Sequence, residues 1–485
     1  MPAITADARP GRPITLCAQR VGAWAPGACL PGRSSGGEGA VHDRRDDLAM
    51  VNRAKALWLN VSQSLGFIPG FIVVLFAVLG IVLVEIDGNV DLDGVQVVFQ
   101  GDGSAARTVL SVIAGSLITV AGLTFSITMV VLQLASSQFS PRILRTFFGD
   151  RMTQITIGTY VGTFVYAILV LRAVGSFDDA GFVPRLSVTV ASLLGIAAVV
   201  LLIVFLHHVS QMVQVSHVAA NIAHATLART DVLYPDGYET AMENDGGTDL
   251  LDSWRSDEPG RVLAPRPGYV QRVGLDDLVK GVSRRAERVA ILVCPGDFVS
   301  IETPIAEIWP AEAADDCRHE LLGAVSIASE RDLHQDVDFG VRQLADTALK
   351  SMSPGINDPA TAVTCIGYLR AILVCLTERA PAAGVRRFPD QDLAVMVRER
   401  HFDEYLEVML QINRYVDGDA WVIGEMLRTL QACARTARRC GAHERMRTVH
   451  SIAMTIAEQA TNEVKNERDL GRIKRLRAEI RASEA

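Results

Sequence analysis

Hydroxyl and amide side chains recur along a stretch otherwise apolar enough to lie in lipid, TVAGLTFSITMVVLQLASSQ at 119–138. Thr119, Ser126, Gln133 and Ser137 follow one another at steps of seven, seven and four, which is one stripe of an α-helix. Polar side chains in a bilayer are costly unless they meet protein or water. The stripe therefore either hydrogen-bonds to neighbouring helices or lines a water-filled path in an oligomer. It contains no carboxylate and no lysine, which argues against proton-coupled pumping. A second row, His207, Ser210, Gln214, His217, Asn221 and His224, runs at steps of three or four just beyond a later apolar run. It predicts a juxtamembrane polar helix face, solvated or between subunits. Histidine titrates near neutrality and ligates metals, yet this spacing lacks an accompanying carboxylate, and no metal is expected. A third candidate is the loop SPGINDP. There Asn357 and Asp358 either form a rigid turn, with Asp358 as a helix N-cap before Pro359, or face a ligand or a neighbouring subunit.

Enzyme signatures are absent. There is no Walker loop, no G-x-G-x-x-G after a strand and no H-E-x-x-H, and the one G-x-S-x-G string, at 32–36, lies in the Pro/Gly-rich N-terminal stretch without the strand and helix such a motif needs. The eight cysteines show neither CxxC nor a His/Cys zinc spacing. Neither catalysis nor a cofactor is expected. A formal net charge of −8 argues against nucleic acid as a partner.

The elements that position these residues are legible from hydropathy. Mean hydropathy is +0.23, but the apolar residues crowd between about 65 and 208. Four runs, about 65–86, 108–135, 153–174 and 186–208, each exceed the roughly 20 residues needed to span a bilayer, and none has a central charge. They predict four transmembrane helices, since only helices and closed barrels satisfy their own backbone in lipid. Arg44, Arg45, Arg53 and Lys55 precede the first span, and Arg142, Arg145 and Arg151 fill the second loop. The first loop is acidic, with Asp87, Asp91, Asp93 and Asp102. The positive-inside rule then puts both termini in the cytoplasm of a multi-pass inner (plasma) membrane protein. Phe139, Phe147 and Phe148 with the second-loop arginines suit an interfacial segment. Gly158-x-x-x-Gly162 predicts close helix packing.

Residues 1–49 are rich in Pro, Gly, Ala and Arg without periodicity. They read as a disordered arm, or as a start-site artefact with the true start at Met50. The transmembrane domain then covers 50–228, with its fourth helix extended through the histidine row. A linker occupies 229–261. Residues 262–310 alternate as short strands around a PGD turn and predict a small β-barrel-like module. Residues 316–485 predict a helical cytoplasmic domain. In it Asp338, Arg342, Asp346 and Lys350 alternate in sign at i, i+4. The fold class expected is thus a mixed membrane protein: a four-helix transmembrane bundle, a small β-barrel-like module and an α-helical cytoplasmic domain.

Three stretches together resemble one family. These are TFSITMVVLQLASSQFSPRILRTFFGDR with the following GTYVGTFVYAILVLR, then HHVSQMVQVSH, then DVDFGVRQLADTALKSMSPGINDPATAV. Over about 55–470 the chain resembles the bacterial predicted membrane proteins of domain-of-unknown-function family 2254. The resemblance implies an integral membrane protein and transfers no catalytic residue. Two functions from different classes fit. One is an oligomeric channel or permeation protein with a cytoplasmic regulatory domain. The other is a non-conducting membrane sensor or scaffold whose cytoplasmic domain binds a ligand or protein. The partners expected are the lipid bilayer and further copies of the chain, as a homo-oligomer.

Overall fold

The computed structural model describes residues 66–89, 98–138, 150–175, 182–212, 214–234, 237, 254, 257–282, 285–379, 384–388 and 392–482. The 1–49 arm, the arginines and phenylalanines of 139–149 and most of the 229–261 linker lie outside them. Side chains of Ser137 and Gln138 are likewise outside the description.

Four apolar helices come first: α1 (Phe67–Asn89), α2 (Gly103–Gln138), α3 (Arg151–Ala173) and α4 (Arg185–Met212). The third is the central one, packing against α1, α2 and α4. Its glycines explain how. A Cβ at Gly158 would stand 2.9 Å from the Pro69 Cα, and one at Gly162 would stand 3.1 Å from the Phe76 ring, so α1 lies directly on the Gly-x-x-x-Gly face. Polar clamps close the helix ends. Asp87, in the last turn of α1, accepts from Leu186 N (2.9 Å), Ser187 N (2.9 Å) and Ser187 Oγ (2.6 Å), capping the orphan amides that open α4. Arg107 donates to the Val174 carbonyl at 3.0 Å, at the end of α3. At the opposite end Asp150 caps α3 through Thr153 N (2.8 Å), and His208 lies 3.0 Å from its other oxygen.

The fourth helix does not run on through the histidine row. It ends at Met212, and α5 (Val215–Leu233) starts afresh after Gln214, whose φ of −75° and ψ of 118° are extended. Hydrophobic periodicity continues across the break because α5 also has a buried face, Val218, Ala219, Ile222 and Ala223. Periodicity alone cannot register so short a break between two helices.

The β region forms no closed barrel among the described residues; the barrel-like expectation is corrected to two open sheets. One has five strands in the order β1 (Gly260–Leu263), β5 (Pro304–Trp309), β3 (Arg288–Ile291), β8 (Leu393–Val397) and β7 (Val385–Phe388). The other has three, in the order β4 (Phe298–Val299), β2 (Gly268–Val273) and β6 (Val325–Ala328). Strands from outside 262–310 complete both. β8 pairs in parallel with β3 from about a hundred residues downstream, and β6 pairs with β2. Short strands whose partners are that distant carry no local sign of which sheet they join. Helix α6 (Leu275–Val282) follows β2, and α7 (Ala313–Ala324) separates β5 from β6.

The remaining helices are α8 (Val337–Ser351), α9 (Pro359–Glu378), α10 (Phe402–Asn413), α11 (Ala420–Arg439), α12 (His443–Glu463) and α13 (Glu467–Ala482). They share one core with α5 and with Ala135 near the end of α2. A fifth helix, α9, is also long and apolar enough to cross a membrane, where the sequence reading counted four. It packs against α5, α8, α10 and α11, burying Ala362, Cys365, Ile366, Leu369, Ile372 and Leu373.

Candidate functional site

The hydroxyl and amide stripe lies on the outside of α2. Thr119, Ser126 and Gln133 are exposed, with Gly115 one turn before them and Gly122 among them, and a Cβ added at either glycine would meet nothing within 4 Å. The opposite face is packed inward through Leu110, Ala114, Leu117, Ala121, Thr124 and Val131. No hydrogen bond joins Ser126 or Gln133 to another helix among the described residues, and Thr119 Oγ1 returns to its own helix at the Gly115 carbonyl (2.9 Å). Beside the stripe α2 also exposes Val112, Leu123 and Val130, whereas the outward faces of α1 and α4 are apolar without such a stripe. They present Phe71, Val74 and Val78, and Ile196, Val199 and Ile203, each more than half exposed, as lipid-facing helices do. Ser137 continues the helix, with its side chain outside the description.

Of the juxtamembrane row, His207 and Ser210 lie in the last turns of α4, and His217, Asn221 and His224 lie on α5. Gln214 is the extended residue between them. All six are exposed. His207 Nε2 lies 3.1 Å from Gln211 Nε2. The neighbouring His208, which the row left out, is the one that reaches a carboxylate, at Asp150.

SPGINDP is a built turn between α8 and α9. Asn357 has φ +48°, a left-handed conformation that asparagine tolerates. Asn357 N donates to Ser353 O (2.9 Å) and Asp358 N to Ser351 O (2.8 Å), satisfying carbonyls at the end of α8. Asp358 caps α9, accepting from Thr361 N (3.1 Å) and Thr361 Oγ1 (2.6 Å). These bonds from the Thr361 side chain and backbone hold its carboxyl below the ordinary 3.8. One turn earlier, Lys350 Nζ donates to the Ser136 carbonyl near the end of α2 at 3.1 Å.

The densest chemistry lies at the other end of α8, roughly 20 Å away at 1.5 Å per residue. Asp336 caps that helix. Arg331 grips it with two parallel bonds, Nε–Oδ2 at 2.6 Å and Nη2–Oδ1 at 2.7 Å. Asp338 is fully buried, and its Oδ2 accepts from Arg331 Nη2 (3.0 Å) and Arg342 Nε (2.7 Å), with Arg400 Nη1 at 3.9 Å. Arg400 also donates to Glu404 (3.1 Å) and Asp297 (3.3 Å), and Arg398 donates to the other Asp297 oxygen (3.3 Å). Four guanidinium groups thus interlace with four carboxylates. They open on a cleft of about 270 Å³ walled on the sheet side by Gly296, Phe298 and Tyr269.

Burial pushes the Asp338 carboxyl up, but Arg400, Arg342 and Arg331 outweigh it and hold it below its ordinary value. Burial works against the charge of Arg400, and Asp338 restores it, raising its pKa overall. The Cys294 thiol, 3.2 Å from Asp297, is pushed up to about 12, by burial first and by Asp297 next. It stays protonated and is no nucleophile. Among the described residues no group of His, Cys, Asp and Glu is arranged to hold a metal ion.

The sequence reading took Asp338 and Arg342 only as helix-supporting charges and passed over Asp297, Arg331, Asp336, Arg398 and Arg400. The available signal is weak: two carboxylates at 336 and 338 alternate with Val337 and Phe339 at the start of an apolar helix. Arg331 and Arg342 are near them in the chain, but Arg400, which ties them to Asp297 and Glu404, comes from a separate segment that only the fold brings in.

The family described as predicted membrane protein (DUF2254) matches residues 62–432. An uncharacterized protein of Mycobacterium tuberculosis is 32% identical over 447 residues, covering 90% of this chain and 83% of the relative. An uncharacterized protein of Mycobacterium bovis matches with the same identity and coverage. No solved structure matches.

Proposed function

We propose, on the premise that this chain belongs to the DUF2254 family of predicted membrane proteins, that it is an oligomeric permeation protein with a cytoplasmic regulatory domain and no enzymatic role. Four helices, α1 to α4, cross the inner membrane. The fifth apolar helix, α9, is a core helix of the cytoplasmic domain, a reading supported by its packing against α5, α8, α10 and α11. Both termini face the cytoplasm, as the loop charges favour.

One observation carries the permeation reading. The exposed surface of α2 carries a stripe of Gly115, Thr119, Gly122, Ser126 and Gln133 beside apolar residues such as Val112, Leu123 and Val130, whereas the outward faces of α1 and α4 carry large apolar side chains without such a stripe. A lipid-facing surface has no use for hydroxyls and an amide, so this face meets further copies of the chain or the water between them. Small residues let backbones approach closely in such an assembly. A path with this lining has no charged ring and would select weakly between ions.

The charged cleft favours a second reading, a non-conducting sensor whose cytoplasmic domain binds a ligand. Reconstitution separates the two. Purified protein in liposomes should pass small ions or solutes, and Gln133→Leu and Ser126→Leu should reduce the flux while the oligomer persists. Cysteines at 126 and 133 that never react with small water-soluble thiol reagents would remove the permeation reading.

A further inference from the structure

We propose that the cleft between Phe298 and Arg342 binds a small organic anion bearing a flat ring, of the mononucleotide class. Arg342 is the anion-binding group. Its Nε is fixed by Asp338 at 2.7 Å, and among the described residues neither of its Nη groups has a partner. A guanidinium held at one nitrogen with its outer edge free is oriented for two parallel bonds to a phosphate or carboxylate. Its side chain is 24% exposed, so that edge is reachable, while Arg331 and Arg400, at 10% and 11%, are engaged by Asp336, Glu404 and Asp297.

The ring platform is Phe298. It is 63% exposed at the cleft rim, and Tyr269 stands edge-on to it with centroids 5.2 Å apart. An aromatic ring held by its neighbour and open on one face offers a stacking surface for a base. Gly296, just before the rim, has φ +93°, and a Cβ there would fall 2.5 Å from Asp336 Oδ2 and 2.7 Å from Arg331 Nη2. The backbone of the sheet side is thus pressed against the ion network, with no side chain intervening.

Two further features point to a ligand rather than to a structural ion cluster. Asp338 lines the cleft, yet its Oδ1 is buried with no hydrogen-bond partner, and as an acceptor it can be satisfied only by a donor such as a base N–H, not by the anionic group. Such groups are rare and costly in native folds. Buried ion networks are also no better for stability than well-packed apolar residues. The cleft of about 270 Å³ is at the small end of ligand sites, which run from about 300 Å³ upward. It suits one nucleotide rather than a dinucleotide or a peptide.

Helix α8 connects the site to the membrane helices. Two residues before Arg342, Gly340 lies against Thr226 of α5, and at its far end Lys350 holds the Ser136 carbonyl of α2. Occupancy that draws Arg342 away from Asp338 would therefore bear on α5 and α2. That regulatory step rests on the permeation reading; the binding does not.

The test uses the full chain in lipid nanodiscs, titrated calorimetrically with AMP, GMP, CMP and UMP, and with inorganic phosphate and adenosine as the two half-ligands. At least one monophosphate should bind saturably, more tightly than phosphate or adenosine. Arg342→Gln should weaken it by about 10- to 100-fold, and Arg342→Lys should fail to restore it, since lysine lacks the fork. Phe298→Ala should weaken it by about 3- to 10-fold while leaving the residual phosphate affinity unchanged. Phe298 is exposed and Arg342 partly so, and unchanged melting of the unliganded variants verifies folding. No binding by any of the four at millimolar concentration overturns the proposal. So does an affinity indifferent to Arg342→Gln, or phosphate alone binding as tightly as the monophosphates. Flux is measured on the same preparations: binding without flux sinks the permeation reading and keeps the site, and flux without binding does the reverse.

Discussion

Replacing Gly340 by alanine tests how α8, which carries the cleft, is seated on α5. A Cβ at Gly340 would lie 1.9 Å from Thr226 Oγ1, where ordinary contact begins at 3.4 Å. Rotating the Thr226 side chain does not relieve this, because its Cβ and Cγ2 also stand at 3.0 Å. The threonine is fully buried, and its hydroxyl is tied to the Ile222 carbonyl at 2.7 Å. The helices must therefore separate. Overpacking of this kind costs about 1–3 kcal/mol, against a gain of roughly 1 kcal/mol for alanine over glycine inside a helix. Gly340→Ala should thus destabilise by up to about 2 kcal/mol, read as a lowered melting temperature of the purified protein in detergent. Thr226→Ala removes two of the three close atoms. In that background Gly340→Ala should be neutral or stabilising, a coupling of about 1 kcal/mol or more between the two sites. A higher melting temperature for the single variant would mean that helix propensity outweighs the contact. An equal loss with and without Thr226→Ala would refute the contact itself.

Two other outcomes follow from the loop and from the helix ends. Asp358→Ala should cost about 0.5–2 kcal/mol in chemical denaturation, and Asp358→Asn much less, because asparagine caps about as well. Because the Asp358 carboxyl is held below 3.8 in the folded chain, its contribution should be full above that pH and fade as pH falls through the lower folded value. A loss from Asp358→Ala that persists unchanged at pH 2 would contradict the cap. For orientation, cysteine at Asn89 should react with an impermeant maleimide on intact cells and cysteine at Ser216 should not, relative to the parent chain; the reverse pattern would invert the proposed topology.

Much of this protein was decided locally, and that part was legible. The apolar runs became α1 to α4 because a helix is the only open segment that satisfies its backbone in lipid, and hydropathy reads that directly. Gly158 and Gly162 announced a close approach, and α1 fills it at Pro69 and Phe76. Asp358 before Pro359 announced a cap, and Thr361 completes it, because capping involves only neighbours in the chain. The stripe of Thr119, Ser126 and Gln133 was also visible as a pattern. Its position opposite the packed face of α2 required the neighbours of that helix to be placed.

Tertiary structure alone decided what depends on distant partners. The strands at 385–397 join β3 by backbone pairing, which their own residues do not encode, and this opens the expected barrel into two sheets. The break at Gln214 lies inside an unbroken apolar rhythm, because both flanking helices bury a face. The ion network at Asp338 is the clearest case. Arg331 and Arg342 lie within seven residues of Asp338, but the sequence shows neither that the carboxylate is buried nor that Arg400 and Asp297 come from distant segments to join it. These groups become one buried site only where the β6–α8 connection, the helix α8 and the β8–α10 connection meet, since charges can leave water only when the fold supplies their partners.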